Sequence, residues 1–105
     1  MNVGDCCSNL SYVTLADTLH HVVGYCNIFP SSTFDIHYHK TMELYYILKG
    51  NGSIYVRDRW EKALPNTYYY FPAYTNHCCR ADTQEGLEFI YFFMKGPFKT
   101  IEYFK

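Results

Sequence analysis

Hydrophobic residues occur along this chain in short runs, and turn-forming residues separate each run from the next. From residue 21 onward, we predict a β-strand for each of the runs that occupy 21–29, 34–39, 43–48, 53–57, 67–71, 76–80 and 87–94. Residues 58–62 are expected to form a charged turn, and residues 98–104 one more strand. Short strands at spacings of about 8–12 residues, without helical periodicity, indicate an all-β fold, either a small barrel or a jelly-roll sandwich.

The first twenty residues fit this pattern less well. Residues 1–10 are mostly polar and small, and the periodicity of residues 10–19 fits either a short strand or a docked segment. We therefore expect residues 1–20 to form an N-terminal arm or edge segment, and residues 21–105 to form one barrel domain.

Alternation along the strands sorts side chains between two faces. On the 43–48 strand, one face carries Glu43, Tyr45 and Ile47, and the opposite face carries Leu44, Tyr46 and Leu48. Because both faces are largely apolar, both are expected to be covered, one inside the barrel and the other by a second sheet or a partner subunit. A partner subunit on the second face would make the protein a homodimer, and the pattern leaves this choice open.

Composition narrows the class of protein. Of 105 residues, 49% are hydrophobic and 20% aromatic, including 12 tyrosines, which favours strands. The net charge of −1 argues against nucleic acid as a main partner. No apolar run approaches the roughly 18 residues of a membrane helix, and the N-terminus does not resemble a signal peptide. A small molecule is the expected partner.

The cysteines indicate a reducing compartment. The five thiols form two adjacent pairs and one single residue, and these are Cys6, Cys7, Cys26, Cys78 and Cys79. An odd number with adjacent pairs is not typical of a disulfide framework, and zinc-finger spacing is missing. We expect a cytoplasmic protein.

His37, His39 and Glu43 lie within seven residues of each other, and His77 follows after further strands. Neutral imidazoles and an ionised carboxylate are ligands that first-row divalent metals prefer. These residue types suit Fe, Mn, Zn, Ni or Cu without choosing among them. The adjacent His20 and His21 are instead interpreted as a surface pair.

The spacing of these residues resembles the cupin superfamily. Its first motif, G-x5-H-x-H-x3-E-x6-G, is matched by His37, His39, Glu43 and Gly50, with Ser31 in place of the opening glycine. Its second motif is G-x5-P-x-G-x2-H-x3-N. The residues at its five places are Asn66, Pro72, Tyr74, His77 and Ala81, of which Pro72 and His77 match. The resemblance implies a cupin double-stranded β-helix with one metal ion bound by His37, His39, Glu43 and His77.

Further site residues follow from alternation around these ligands. Tyr45 lies two residues past Glu43 on the same face, and a phenol beside a divalent cation can act as a base. Cupin lyases that cleave dimethylsulfoniopropionate have a similar His-x-His-x3-Glu-x-Tyr run in which the tyrosine is the base. The residues expected to line the cavity as substrate contacts are Tyr55, Arg57, Tyr70 and Cys79, although ordinary packing explains each of them as well.

Three functional hypotheses remain open. The first is a metal-dependent enzyme of dioxygenase, isomerase or lyase type that acts on a small oxygen-containing molecule. The second is a non-catalytic sensor barrel, because residues 34–39 and 43–46 also resemble the ligand-binding domain of AraC-type regulators. The third is a structural dimer. The complete set of metal ligands favours the enzyme, although fold alone does not determine function.

Overall fold

The computed structural model describes residues 10–32 and 35–104 of the chain. Within these residues there are eight β-strands and one short 3₁₀ helix. The strands are β1 (Leu10–Asp17), β2 (Val22–Ile28), β3 (Glu43–Gly50), β4 (Gly52–Val56), β5 (Arg59–Lys62), β6 (Tyr68–Phe71), β7 (His77–Ala81) and β8 (Leu87–Phe93). The 3₁₀ helix spans Phe98–Thr100. The prediction of an all-β fold is confirmed.

The strands form two antiparallel sheets that enclose one core. The larger sheet has the order β1-β2-β8-β3-β6, and the smaller sheet has the order β5-β4-β7. The central strands β2, β8 and β3 alternate between buried and more exposed positions, as expected for strands with one face toward a core. On β3, Glu43, Tyr45 and Ile47 are buried whereas Tyr46 and Leu48 are exposed, which confirms the predicted faces.

The outer face of the larger sheet is also apolar. One row of paired residues crosses all five strands, and it consists of Val13, Tyr25, Ile90, Tyr46 and Tyr68. A second row crosses four strands, and it consists of Val23, Phe92, Leu44 and Tyr70. Within the first row, Tyr25 donates a hydrogen bond to Glu88 on the same face. The sheet therefore presents a continuous apolar surface outside the core.

The predicted turn at residues 58–62 is wrong. Arg59–Lys62 is strand β5, which pairs with β4 from Ser53↔Lys62 to Val56↔Arg59. The turn itself is made by Arg57 and Asp58, whose φ angles are 52° and 66°. Two successive left-handed residues match the twist of a tight hairpin. The charged composition of β5 reflects an edge strand with mostly exposed side chains.

The strand predicted at residues 98–104 is also wrong. After Pro97 the chain turns through the 3₁₀ helix Phe98–Thr100, and the Thr100 hydroxyl bonds to the Pro97 carbonyl at 2.7 Å. Farther on, Phe104 makes an isolated bridge with Tyr38 rather than a ladder. An apolar run alone does not distinguish a strand from a segment that covers the end of a barrel.

The structure resolves the open choice for residues 10–19. Leu10–Asp17 is an edge strand of the larger sheet, paired with β2. Residues 1–9, 33–34 and 105 lie outside the described residues, so the first half of the proposed arm and the start of the strand predicted at 34–39 are not described. Within the described chain, His37 and Tyr38 make single bridges. The division at residue 20 stays a prediction.

In the described part of the chain, no helix has the length and apolar character needed to cross a membrane.

Candidate metal centre

Three buried histidines meet at one end of the barrel. His37 and His39 lie in the irregular segment before β3, and His77 begins β7. His37 and His77 are held together by paired backbone bonds, N–H of His37 to O of His77 at 3.1 Å and the reverse bond at 2.8 Å. Each histidine is 1% exposed. One ligand nitrogen from each lies within 4.8 Å of the other two, so the three histidines are positioned to bind a metal ion.

Backbone carbonyls set the tautomer of each ring. The Nδ1 atoms lie close to main-chain oxygens, namely His37 to Asp35 at 2.8 Å, His39 to Thr41 at 2.5 Å and His77 to Thr75 at 2.8 Å. Because a carbonyl oxygen only accepts, Nδ1 must carry the proton in each ring. The Nε2 lone pair of each neutral imidazole is then left for the centre of the cluster. A hydrogen bond from the other ring nitrogen to a carbonyl is the usual support of a metal-bound histidine.

Glu43 completes the cluster from the first position of β3. There it pairs with Phe93 on one side and Phe71 on the other. Its Oε1 lies 3.1 Å from Nε2 of His39 and 3.2 Å from Nε2 of His77. With Nδ1 already protonated, those nitrogens donate to Glu43 only when the rings are imidazolium ions. Two such cations buried with one carboxylate would be costly to desolvate.

A divalent cation fits this donor set better than protons do. Neutral Nε2 atoms and a carboxylate oxygen all offer lone pairs, and a metal ion accepts them without requiring charged rings. Nitrogen ligands about 2.0–2.1 Å from a tetrahedrally coordinated ion lie roughly 3.3 Å apart. Because the three ligand atoms lie within 4.8 Å of one another, the rings would move closer together around a bound ion.

The electrostatics of the cluster reflect its burial. Burial, followed by the neighbouring His77, lowers the pKa of His37 to about 4, which keeps this ring neutral. Burial alone would raise the pKa of Glu43, but the adjacent His39 and His77 outweigh burial, and the pKa of the carboxyl is lowered. Aromatic rings cover the cluster, with Phe71 stacked on His77 at 4.5 Å and Phe93 against His39 at 5.3 Å.

A small internal cavity adjoins the cluster. It is lined by Tyr12, Cys26, His37, Glu43, Tyr45, Phe89, Tyr91, Phe98 and Tyr103. The space open to the centre of a water molecule is about 20 Å³, which accommodates about one water. The cavity therefore has room for a metal ion or one water, whereas a typical small-molecule site measures hundreds of Å³.

Among the predicted site residues, the structure brings Tyr45 to the cavity. Its ring packs edge-on against Phe71 at 4.7 Å and lies 6.5 Å from the ring of His77. Burial, followed by Glu43, raises the pKa of Tyr45 well above the ordinary value. This direction is opposite to the one a base requires.

The predicted substrate contacts lie elsewhere. Cys79 is fully buried in the core, and it lies close enough to Tyr45 to contribute to the raised pKa of that phenol. Tyr55 donates to Asp58 at 3.3 Å and packs on Trp60, on the face of β4 opposite Ile54. Arg57 is exposed in the β4–β5 turn, and Tyr70 is 43% exposed on β6. The structure does not bring Tyr55, Arg57 or Tyr70 to the histidines.

Sequence reasoning missed Tyr103. Its ring centroid lies 5.2 Å from the centroids of both His37 and His39, and the residue is 5% exposed. The spacing of the histidines carries no information about this residue. The signal in the sequence was the alternation of Ile101, Tyr103 and their polar neighbours near the end of the chain.

Backbone conformation explains the motif positions that lack glycine. Ser31, Asn66 and Tyr74 stand where the cupin motifs have glycine, and their φ angles are 65°, 61° and 61°. At Gly50, which matches the motif, φ is 108° and an added Cβ would lie 2.1 Å from the Gly86 carbonyl oxygen. The left-handed turns are thus kept although three of the glycines are replaced, at a cost that is largest for a bulky residue such as Tyr74.

Comparison with known families supports the reading of the motifs. The Cupin domain family matches residues 24–93, which is well over half of the chain. This chain belongs to the cupin family. No curated protein matches its sequence significantly.

Solved structures share the fold at low sequence identity. The cupin-2 domain protein Rru_A2000 from Rhodospirillum rubrum has a TM-score of 0.80 and 20% identity, over 90% of this chain and 64% of that one. The polyketide cyclase RemF from Streptomyces resistomycificus has a TM-score of 0.77 and 16% identity, over 83% and 66%. The DMSP lyase DddQ from Ruegeria pomeroyi has a TM-score of 0.76 and 14% identity, over 88% and 49%. This cupin therefore spans between half and two-thirds of the length of these proteins.

Proposed function

We propose that this cupin is a metal-dependent enzyme that acts on a small oxygen-containing molecule by dioxygenase, isomerase or lyase chemistry. One divalent ion would be held by His37, His39, Glu43 and His77. The observation that carries the proposal is the convergence of three buried imidazoles whose Nδ1 atoms are all committed to backbone carbonyls. A structural core histidine needs no such shared orientation.

The donor set leaves coordination positions for a substrate. When bound, the ion would act as a Lewis acid that polarises a substrate oxygen. The protein would supply neutral nitrogen ligands, one carboxylate and an apolar wall that excludes water. A cyclase and a lyase with this fold support an enzyme by analogy only.

Tyr45 stays a candidate catalytic residue in this proposal. Its buried phenol would be the neutral form at neutral pH, because burial raises its pKa. In that form it would donate a hydrogen bond to a bound oxygen, and it would act as a base only if the cation reversed the effect of burial. Its ring also packs against Phe71 and Phe89, so Tyr45→Phe is the substitution that removes the hydroxyl and keeps the packing.

Elemental analysis of the purified protein tests the metal proposal. We expect close to one metal ion per chain in the native protein and in His21→Ala, and loss of the metal in His77→Ala. Iron, copper, nickel or manganese would direct activity assays to oxygen chemistry, whereas zinc would direct them to isomerase and lyase reactions. A native protein that contains no metal and takes up none of these ions would refute the proposal.

A binding barrel without turnover is the second candidate. Its support is the likeness of residues 34–39 and 43–46 to the ligand-binding domain of AraC-type regulators. The cavity of about 20 Å³ is too small in this conformation for a substrate and for a sensor ligand alike, so its size does not separate the candidates. Incubation of the metal-loaded protein with candidate ligands, followed by recovery of each ligand, separates the candidates. A sensor returns its ligand unchanged, whereas an enzyme consumes it.

We also propose a homodimer through the outer face of the larger sheet. Two rows of apolar residues cover this face, and stable homodimer interfaces are rich in such residues. Light scattering over a concentration series should give a dimer, Tyr46→Lys a monomer, and the control Leu64→Lys, at an exposed position outside these rows, a dimer. A monomer of the native protein at all concentrations would contradict this proposal.

A cytoplasmic location is proposed on the state of the cysteines. Cys78 is a buried thiol, burial raises its pKa to about 12, and the five cysteines of the chain do not have the spacing of a disulfide framework. Thiols of this kind persist in reducing compartments. Fractionation of the cells that express the protein tests the location, and recovery from the oxidising side of the membrane would contradict it.

A further inference from the structure

Two separate spaces lie at the end of the barrel that holds the histidines. The first is the small, partly open cavity beside His37 and Glu43, which has room for about one water. The second is an open, mainly apolar groove of about 900 Å³ on the outside. The two spaces have no lining residue in common, so a wall of protein separates them.

Two stretches of chain contribute to both sides of this wall. Residues 37–43 line the cavity with His37 and Glu43 and the groove with Lys40, Thr41 and Met42. Residues 98–104 line the cavity with Phe98 and Tyr103, and the groove with Thr100, Ile101, Glu102 and Phe104. These two stretches therefore form part of the protein that separates the groove from the cavity.

Of the two stretches, residues 98–104 are the one that can move without dismantling the histidine cluster. Residues 37–43 carry three of the four proposed ligands, and two of their rings are fixed by nearby carbonyls. Residues 98–104 belong to neither sheet. Local opening is easiest in segments that lack a full ladder of backbone bonds.

The contacts that hold this segment are separable from the barrel. Tyr38 and Phe104 exchange one pair of backbone bonds, at 2.7 and 2.8 Å, and their rings stack at 5.4 Å. At the other end, the Phe98 amide donates to Asp17 Oδ1 at 2.7 Å, and its ring stacks on Tyr12 at 6.2 Å. By contrast, β8 is paired with a neighbour on each side.

Tyr103 links residues 98–104 to the histidines, because it lines the cavity beside them. Its ring covers both His37 and His39 at 5.2 Å between centroids. We propose that residues 98–104 form a gate, that Tyr103 is the gate residue, and that small molecules reach the histidines from the outer groove when the segment opens. This inference rests on the proposed function, because a gate is needed only if a ligand must reach the metal.

Hydrogen exchange of the native, metal-free protein tests whether the segment opens by itself. We expect the amides of Tyr38 and Phe104 to exchange through a local opening whose rate depends little on denaturant, and the amides of β3 and β8 to exchange only on global unfolding. Exchange of all these amides in one global event would overturn the proposal.

Chemical modification tests whether opening exposes the histidines. In metal-free protein, diethyl pyrocarbonate should modify His37, His39 and His77 far more slowly than His20 and His21, which serve as internal references because they lie outside the barrel core. Tyr103→Ala should accelerate modification of the buried rings by about tenfold or more. The control Tyr68→Ala, at a residue 67% exposed on β6, should leave the rates unchanged.

A second variant keeps the test decisive if Tyr103→Ala does not fold. Phe104→Pro removes the amide that bonds to Tyr38 and should accelerate modification in the same way. Rates equal to those of the native protein in a folded gate variant would overturn the gate. Neither readout requires a metal. A protein that binds no metal but opens locally would therefore refute the proposed metal enzyme and still support the gate.

Discussion

The two ends of the barrel interior are equally buried but differ in chemistry and in backbone. At the end away from the histidines, here called the closed end, Ile28, Ile47 and Leu87 are each 0% exposed and lie on strands of the larger sheet. At the histidine end, His37 and His39 are each 1% exposed, yet they lie in a segment that makes single bridges instead of a ladder. Burial alone therefore does not indicate whether a residue serves stability or chemistry.

The difference follows from how each end satisfies its side chains. Aliphatic side chains gain from transfer out of water, and their contribution grows with buried area. Buried imidazoles and a carboxylate lose solvation and require partners. At the histidine end, those partners are the carbonyls of Asp35, Thr41 and Thr75, which an irregular backbone can offer because its carbonyls are not all used in a ladder.

The largest expected effect is a loss of stability at the closed end. Ile47→Ala should lower the free energy of unfolding by about 3 kcal/mol, because it removes buried methyl groups and leaves a cavity. Denaturant unfolding of the metal-free protein measures this loss, with an unchanged slope. The folded variant should still bind metal with native stoichiometry. Loss of metal binding in Ile47→Ala would show that the two ends are not independent.

Metal should stabilise the protein through the histidine end by a comparable amount. At a free metal concentration one hundred times the Kd, ligand binding adds about 2.7 kcal/mol to the free energy of unfolding. Thermal unfolding with and without zinc measures the increment. Ile47→Ala should retain the increment, since distant sites contribute additively, and His39→Ala should lose it. An increment that survives in His39→Ala would place the metal elsewhere.

A smaller effect is expected at Glu43. His39 and His77 lower the pKa of this carboxyl despite its burial, so the ionised carboxylate stabilises the folded metal-free protein. Glu43→Gln should therefore make the metal-free protein less stable by about 1 kcal/mol, and it should weaken metal binding by about tenfold or more. Denaturant unfolding measures the stability and titration calorimetry the affinity, and Glu85→Gln, at an exposed position, is the matched control. A metal-free Gln variant that is more stable than the native protein would show that the charge is not stabilised by the histidines.

The smallest expected effect concerns backbone strain beside the histidines. Tyr74 has a φ of 61°, is 62% exposed, and its amide bonds to the His39 carbonyl at 2.8 Å. Tyr74→Gly should stabilise the protein by about 1 kcal/mol, since glycine adopts this conformation without a Cβ penalty. Asn66→Gly should stabilise it less, because Asn tolerates the left-handed region. Thermal unfolding of both variants checks the order, and a destabilised Tyr74→Gly would mean that the ring has packing interactions that outweigh the strain.

The sequence by itself determined the strands of the core and the histidine cluster. The alternation of Glu43, Tyr45 and Ile47 identified the buried face of β3, because strand geometry sends alternate residues to opposite sides. The spacing of His37, His39 and His77 identified the cluster, because ligand types at fixed intervals are a local property of the chain. Family membership followed from the same spacing.

Only the tertiary structure decided what surrounds that cluster. The position of Tyr103 over His37, the strand identity of residues 59–62 and the location of Tyr55 away from the histidines all depend on contacts between residues far apart in the chain. Alternation reports which way a side chain points from its own strand, but not what packs against it. The volume left beside the histidines, and thus the need for a path to them, depends on how side chains from both sheets and the last segment fill the barrel together.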